Sequence, residues 1–588
     1  MPASVGLAWC ALAATFALLM LVVAPGRGAG WIQDDGLFLR MSWDAAHGYG
    51  FDQMLPQSPS YLFHSLFMQL GMSEYLHFRY LNYVVILLSS GIFFSGLARG
   101  RAHTVQLPLG ILASLLVSLN SIQNPNALSQ ACFLIGTGIY FHAIHASTRL
   151  GRFVLHLLCG LFLGLAGFMH AAVAIATLLI AALILLLDRA SRRSLLLPAL
   201  LLSVGLLWFY YARAIGLNVL LARPAGHEVS AGMLGTRVSM LLLFYAKALL
   251  LFLSAAYYFR KRPEQLHQSR MVLDRAVTGF GLLSLLVFLA DSGFRFPGWL
   301  GISQLPGAVL LLLYFGFFHW TWQQFQGLAG TPVNKLRAVW VTTLAQPQSR
   351  KLFIAFCGFV LVPAALAVGS NTAIIQGMVF FAGPALGLLI MLWSHIDAGP
   401  LTRDEKVIAG LWLLIFACFA LTYNHPNYSP PSATEKITLQ SAPLRGIRES
   451  LRYQSALMEL QQAYRDHACQ DKVLLVMDYL PMVYFILQHP APNQIGVIRP
   501  QMYFPQVKIM ELLQTSQSWC VLDATGIETQ TDIDSSGHDK RAGVRSFIQQ
   551  NADRQTNVAA PGTEILGSMQ LYSRERKPYP PTAAQHSP

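Results

Sequence analysis

Two neighbouring carboxylates, Asp34 and Asp35, stand shortly beyond the first apolar run of the chain, and their type and spacing suit chemistry better than any other pair. Adjacent like charges repel, so one carboxyl of such a pair is held protonated to higher pH unless a cation lies close. A carboxylate of that kind can act as general base on a hydroxyl, and the two together can hold a divalent cation. The same residues also suit a helix start. Asp34 would cap Asp35-Gly-Leu-Phe-Leu-Arg40, because free N–H groups and the helix dipole favour acid there. The two roles are compatible. Arg40 supplies the nearest cation in sequence.

The elements that must position these residues are membrane helices. Of 588 residues, 54% are hydrophobic and only 12% charged, whereas a soluble domain carries about 25% charged residues. That leaves too little polar surface for a water-soluble body of this size. Apolar runs recur near 5–24, 81–98, 105–120, 131–146, 153–167, 170–187, 195–212, 238–258, 276–291, 300–319, 352–369, 373–393 and 407–423. They read as about thirteen spans, since roughly 18 apolar residues cross the hydrocarbon core. The first run has no Lys or Arg ahead of it and is long for a signal-peptide core, so it reads as a retained helix.

Basic residues occupy alternate loops: Arg99 and Arg101; Arg149 and Arg152; Arg189, Arg192 and Arg193; Arg260, Lys261 and Arg262; Lys335, Arg337, Arg350 and Lys351; Arg403 and Lys406. The positive-inside rule makes those loops cytoplasmic, with His142 and His145 at the same side. The N-terminus is then cytoplasmic, while loop 25–80 and the C-terminal region 424–588 are extracytoplasmic. The chain therefore divides into a membrane region, 1–423, and a soluble domain, 424–588. The net charge of +13 lies in the membrane half, and no basic stripe interleaved with aromatics points to nucleic acid.

The soluble part alternates short apolar strands with helices, which predicts a small α/β domain. Strands are expected at 473–477, 519–523 and 496–498, and helices at 444–467, 481–488, 506–515 and 541–551. Asp523, Asp532 and Asp534 read as a solvated acidic loop. Cys469 and Cys520 can pair in an oxidising compartment or remain two core thiols.

One segment carries a resemblance. Asp34-Asp-Gly-Leu-Phe-Leu-Arg40, then Ala45-Ala-His-Gly-Tyr-Gly-Phe51, then Ser58-Pro-Ser-Tyr61 entering an apolar helix, resembles the start of membrane glycosyltransferases of the GT-C superfamily. The match covers roughly residues 5–80; beyond it only the hydropathy layout agrees. It implies an acidic catalytic residue in the first outer loop, a sugar donor carried on a polyprenyl phosphate, and a soluble domain after the last helix. Asp34 or Asp35 would take the proton from a glycan, lipid or protein acceptor, and direct displacement would invert the anomeric carbon. The transferred group would be a hexosyl or pentosyl unit, and the setting a bacterial cytoplasmic membrane.

The leaving lipid phosphate needs cationic partners. Arg40, Arg213, Arg223, His227, Arg237 and Arg295 are the candidates, although each also suits a helix end at the headgroups. Tyr61 and His64 would line the acceptor side, or sit in an interfacial belt. The second outer loop, Asn120 to Gln130, departs from the superfamily pattern because it holds no acid. A divalent cation at Asp34 and Asp35 would need Asp44, Glu228 or Asp291 as a further ligand, or no metal is used. A flippase or transporter for lipid-linked substrates is the alternative, as is an envelope assembly component without catalysis. Transporters call for repeated halves with ionisable residues deep in several spans, and no such repeat is evident here.

Overall fold

The computed structural model describes residues 3–29, 34–49, 59–100, 105–116, 124–188, 195–215, 346–369, 374–396, 436–477, 480–492, 506–524, 541–559 and 569–575, with isolated positions between 238 and 338 and at 410. The chain is a polytopic helical membrane protein with a small C-terminal sheet domain. Helix α1 (Ala3–Leu18) continues through a π-helical stretch (Leu19–Val23) into a last turn (Ala24–Gly26). Two short helices follow, α2 (Asp34–Ala46) and α3 (Tyr61–Gln69). The bundle then contains α4 (Tyr75–Ala98), α5 (Gln106–Leu116), α6 (Pro125–Ala143), α7 (Arg149–Met169), α8 (Ala171–Leu187), α9 (Leu196–Ile215), α10 (Pro347–Gly369) and α11 (Ile374–Ile396).

Five described helices are long and apolar enough to cross a membrane: Val5–Gly26, Tyr75–Ala98, Arg149–Met169, Leu196–Arg213 and Pro347–Leu366. Shorter apolar helices accompany them at Gln106–Leu116, Ala171–Leu187 and Phe381–Leu392. The expected spans at 276–291 and 407–423 lie outside the described residues but for position 410. Aromatic rings fill the bundle core, where Phe93, Phe133, Phe359 and Phe381 interlock. Close helix approach there depends on small residues, as in other membrane bundles. A Cβ on Gly138 of α6 would lie 2.7 Å from the Ile92 carbonyl oxygen of α4.

Among the described residues, the segments bearing Arg99 and Lys351 meet at one end of the bundle. Lys351 Nζ donates to the Gly96 and Arg99 carbonyls at 2.8 Å, and Gln348 donates to Leu97 O. These donors satisfy the free carbonyls at the C-terminus of α4. At the same end Arg350 pairs with Asp188 at 3.5 Å. At this end His142 is hydrogen-bonded to Arg99 and Ser95.

The C-terminal domain opens with a two-stranded ribbon, β1 (Ile437–Thr438) and β2 (Arg448–Glu449). Helix α12 (Leu451–Asp466) follows, capped by Ser450 Oγ on Tyr453 N. The expected helix start near residue 444 is therefore corrected. Residues 439–447 form a tight turn in which Leu439 N donates to Ile447 O and Gly446 N to Leu439 O, and the serine cap defines the true start. A four-stranded sheet has the order β3 (Val473–Val476), β4 (Trp519–Ala524), β6 (Met569–Arg574), β5 (Arg554–Val558). The β3–β4 pair is parallel and the other pairs are antiparallel. Between strands run α13 (Pro481–Leu487), α14 (Gln506–Thr515) and α15 (Ala542–Asn551).

Strand alternation splits the core across this sheet. Leu474, Val476, Cys520 and Leu522 face α12 and α13, while Leu475, Trp519 and Val521 face α14 and α15. Strands β3 and β4 are buried on both faces, which accounts for their continuous apolar runs. Cys469 and Cys520 are joined in a disulfide that staples the turn after α12 to β4. Asp523, expected in a solvated loop, is instead 2% exposed and pairs with Arg545 at 2.8 Å. Asp532, Asp534 and the expected strand at 496–498 lie outside the described residues.

Candidate functional site

Helix α2 carries Asp34 and Asp35 in its first turn. Helical carbonyls and amides downstream of Asp34 make that turn the positive end of the dipole, which favours acid there. The side chains of Asp34 and Asp35 lie outside the described residues, as do Arg223, His227, Arg237 and Arg295.

The loop into α2 is anchored from behind by two cations. Arg79 of α4 is buried and donates to the carbonyls of Ala24, Arg27 and Gly28, the first and last at 2.7 Å. Lys436 of the C-terminal domain donates to Gly26 O at 2.5 Å. Both act on the C-terminal end of the first span, where unpaired carbonyls and the negative dipole end attract cations. Burial lowers the Lys436 pKa to about 8, while Glu449 opposes that fall. The buried Arg79 is thus explained by capping.

One face of α2 rests on the membrane bundle. Leu37 and Met41 pack with Tyr61, Phe168 and Tyr211. Ser42 Oγ lies 2.6 Å from Phe38 O and 2.9 Å from Tyr61 O, within donating reach of both. Tyr61 is fully buried, and its hydroxyl meets that of Tyr211 at 3.1 Å. Burial, then the neighbouring Tyr211, pushes the Tyr61 hydroxyl far above its usual range. Arg213 lies two residues beyond Tyr211 on α9 and is exposed, so it belongs to the same end of the bundle. His64, one turn along α3, is completely buried between the rings of Phe63 and Phe78. Burial lowers its pKa to about 3, so the ring is neutral at physiological pH.

The other face of α2 is covered by the C-terminal domain. Gly36 is the point of closest approach: a Cβ there would lie 2.5 Å from Met482 N and 2.7 Å from Met482 Cα. One turn on, the Arg40 guanidinium stacks over the Tyr484 ring, 4.7 Å from its centroid. Arg40 Nε also lies 3.6 Å from Asp44 Oδ2. Asp44 is 1% exposed, and burial raises its pKa to about 6 against the opposing pull of Arg40, the Ala491 amide and His47. Phe38 and Leu39 join Tyr75 and Phe78 of α4 in one apolar cluster with Leu457, Met482 and Phe485. The C-terminal domain is thus packed continuously with the helix bearing the acids.

Tyr61 packs against the bundle face of α2, Arg40 lies on the face covered by the C-terminal domain, His64 is buried against Phe78, and Arg213 lies two residues beyond Tyr211 on α9. Sequence reasoning missed Met482 and Tyr484, which lie more than 400 positions further along the chain. It weighed Asp44 only as a further metal ligand. Among the described residues no group of three or more His, Cys, Asp or Glu gathers as a metal site.

No known protein family and no curated protein matches the sequence. Among solved structures, the chain is similar to ArnT from Cupriavidus metallidurans bound to undecaprenyl phosphate. That alignment has 10% identity, covers 96% of this chain and 97% of that one, and gives a TM-score of 0.41. A likeness that distant identifies neither a family nor a substrate.

Proposed function

We propose that the protein is an inverting glycosyltransferase that moves a sugar from a polyprenyl-phosphate donor to a glycan, lipid or protein acceptor at the outer face of a bacterial cytoplasmic membrane. The observation that carries this reading is the setting of α2. A helix with two acids in its first turn is held between a membrane bundle and a water-facing domain. A reaction joining a lipid-borne donor to a polar acceptor needs its base at such a boundary. The opening motif and its resemblance to GT-C enzymes point the same way.

In this reading Asp34 or Asp35 removes the acceptor hydroxyl proton as the oxygen attacks the anomeric carbon. The bond from that carbon to the phosphate oxygen breaks, and the electron pair leaves on the polyprenyl phosphate. Arg40 and Arg213 stabilise the charge that develops on the phosphate, with Arg223, His227, Arg237 and Arg295 as further candidates. Tyr61 and His64 remain the acceptor-side candidates, buried behind α2. The Cys469–Cys520 disulfide supports an outer location for the domain, because such bonds persist in oxidising compartments.

The test uses the full chain in lipid nanodiscs with polyprenyl-phosphate sugars extracted from bacterial membranes. Donor consumption and new glycosylated products are followed by mass spectrometry. Asp34→Asn or Asp35→Asn should abolish transfer while the protein still inserts and remains monodisperse. Near-normal turnover in both variants would overturn the assignment.

A further inference from the structure

The face of α2 turned to the C-terminal domain is built differently from an ordinary packing surface. Apolar contacts alone would hold two elements together, and Phe38, Leu39 and Met482 already supply them. Amid them sits a buried carboxylate, Asp44, whose charged partner among the described residues is Arg40 at 3.6 Å. Burying such a pair costs desolvation that well-packed apolar residues would avoid. A buried ion pair is better suited to fixing one geometry than to adding stability.

The second observation is the anchoring of Tyr484. Its ring lies against the Arg40 guanidinium, and its hydroxyl accepts a hydrogen bond from Val476 N at 2.9 Å. Val476 belongs to β3, at the parallel pair with β4. Arg40 is therefore fixed on one side by Asp44 and on its flat face by a ring tied to the sheet. A guanidinium is planar, so one ion pair and one stack define its plane. Gly36 brings α13 against α2 beside the first turn, so the same contact also fixes the acids' backbone.

We propose that Asp44 and Tyr484 are positioning residues for Arg40 and for the acid-bearing turn of α2, which makes the C-terminal domain a working part of the active site. This rests on the reading of Asp34, Asp35 and Arg40 given above. The groups facing Asp44 are Arg40 of α2, His47 just beyond that helix, Tyr484 of α13 and the Ala491 amide. Protonating Asp44 leaves Arg40 stacked but without its ion pair, so turnover should fall as pH drops through about 6.

The experiment compares Asp44→Asn, Asp44→Glu, Tyr484→Leu and Tyr484→Phe in the full chain, in nanodiscs, with the same extracted donor lipids. Misplacing a reacting group by about 1 Å costs on the order of a hundredfold. Asp44→Asn and Tyr484→Leu should therefore lose about tenfold to a hundredfold in kcat, with donor KM changed much less. Asp44→Glu and Tyr484→Phe, which keep the charge and the ring, should recover part of that loss. The Asp44→Asn profile should also lose the part of the acid-side fall that Asp44 contributes near pH 6, leaving only the titration of the acid pair. If Asp34→Asn and Asp35→Asn are inactive while Asp44→Asn and Tyr484→Leu keep wild-type kcat and pH profile, the positioning role is overturned and the transferase reading stands. If both Asp34→Asn and Asp35→Asn are active, the transferase reading fails, and hydrogen exchange decides the clamp. Faster exchange of the amides of residues 37–46 in Asp44→Asn and Tyr484→Leu supports it; unchanged exchange overturns it.

Discussion

Gly36→Ala is the sharpest perturbation of the junction between the two halves of the molecule. In an exposed helix this change stabilises by about 1 kcal/mol, because alanine has the better helix propensity. Here the added methyl would meet Met482 N at 2.5 Å, Cα at 2.7 Å and Cβ at 2.8 Å. Ordinary carbon contacts lie at about 3.5–4.0 Å, so α2 and α13 must separate by roughly 1 Å. The obstacle includes main chain, which no rotamer change removes. Overpacking of this kind costs about 1–3 kcal/mol, enough to reverse the propensity gain. The separation also shifts the turn that carries Asp34 and Asp35, for which a loss of about a hundredfold in turnover is expected. The assay is transfer by nanodisc-embedded protein, paired with hydrogen exchange at residues 481–487. Gly36→Ala with normal turnover and normal protection of α13 would refute the close-approach reasoning.

Three further predictions follow from buried groups. Arg79→Gln should lower stability by about 3 kcal/mol or more, because several buried carbonyls lose a charged donor. Arg79→Lys should recover only part, since an ammonium lacks the guanidinium fork; thermal unfolding in detergent measures both, and an unchanged Tm contradicts the capping role. His64 has a folded pKa of about 3, lowered by burial from 6.5. The unfolded chain therefore binds the proton first, and this contribution to stability is present above pH 6.5 and lost as pH falls towards 3. At pH 5 the loss is about 2 kcal/mol, and His64→Phe should remove that slope from the plot of Tm against pH. Replacing Cys469 and Cys520 by serine opens a loop of sequence separation 51, for which the chain-entropy model gives about 4 kcal/mol. Free-thiol labelling of the wild type and the domain's melting with and without reductant would check it.

Much of the architecture is legible in the residues themselves. Apolar runs locate the helices because a bilayer admits only segments whose backbone bonds are internal and whose side chains are apolar. Expected spans at 170–187 and 195–212 meet helices Ala171–Leu187 and Leu196–Ile215. In the domain, β3 and β4 stand out because both faces are buried and all their residues but Asp523 are apolar. Strand β5 does not, since Arg554–Val558 is mostly exposed and reads as polar loop, and in β6 Gln570, Ser573 and Arg574 interrupt the buried apolar residues. The N-terminal acid turn is legible too, because it depends on local backbone chemistry.

What covers α2 was decided only by the tertiary structure. Helical periodicity shows which residues of Asp34–Ala46 share a face, but a face carries no address for its partner. The glycine at 36 reads as part of a motif until Met482 is seen against it, and Arg40 reads as a free cation until Tyr484 and Asp44 hold it. Those contacts join positions separated by most of the chain. Local propensity and hydropathy do not specify them; close packing of the folded domain against the bundle does.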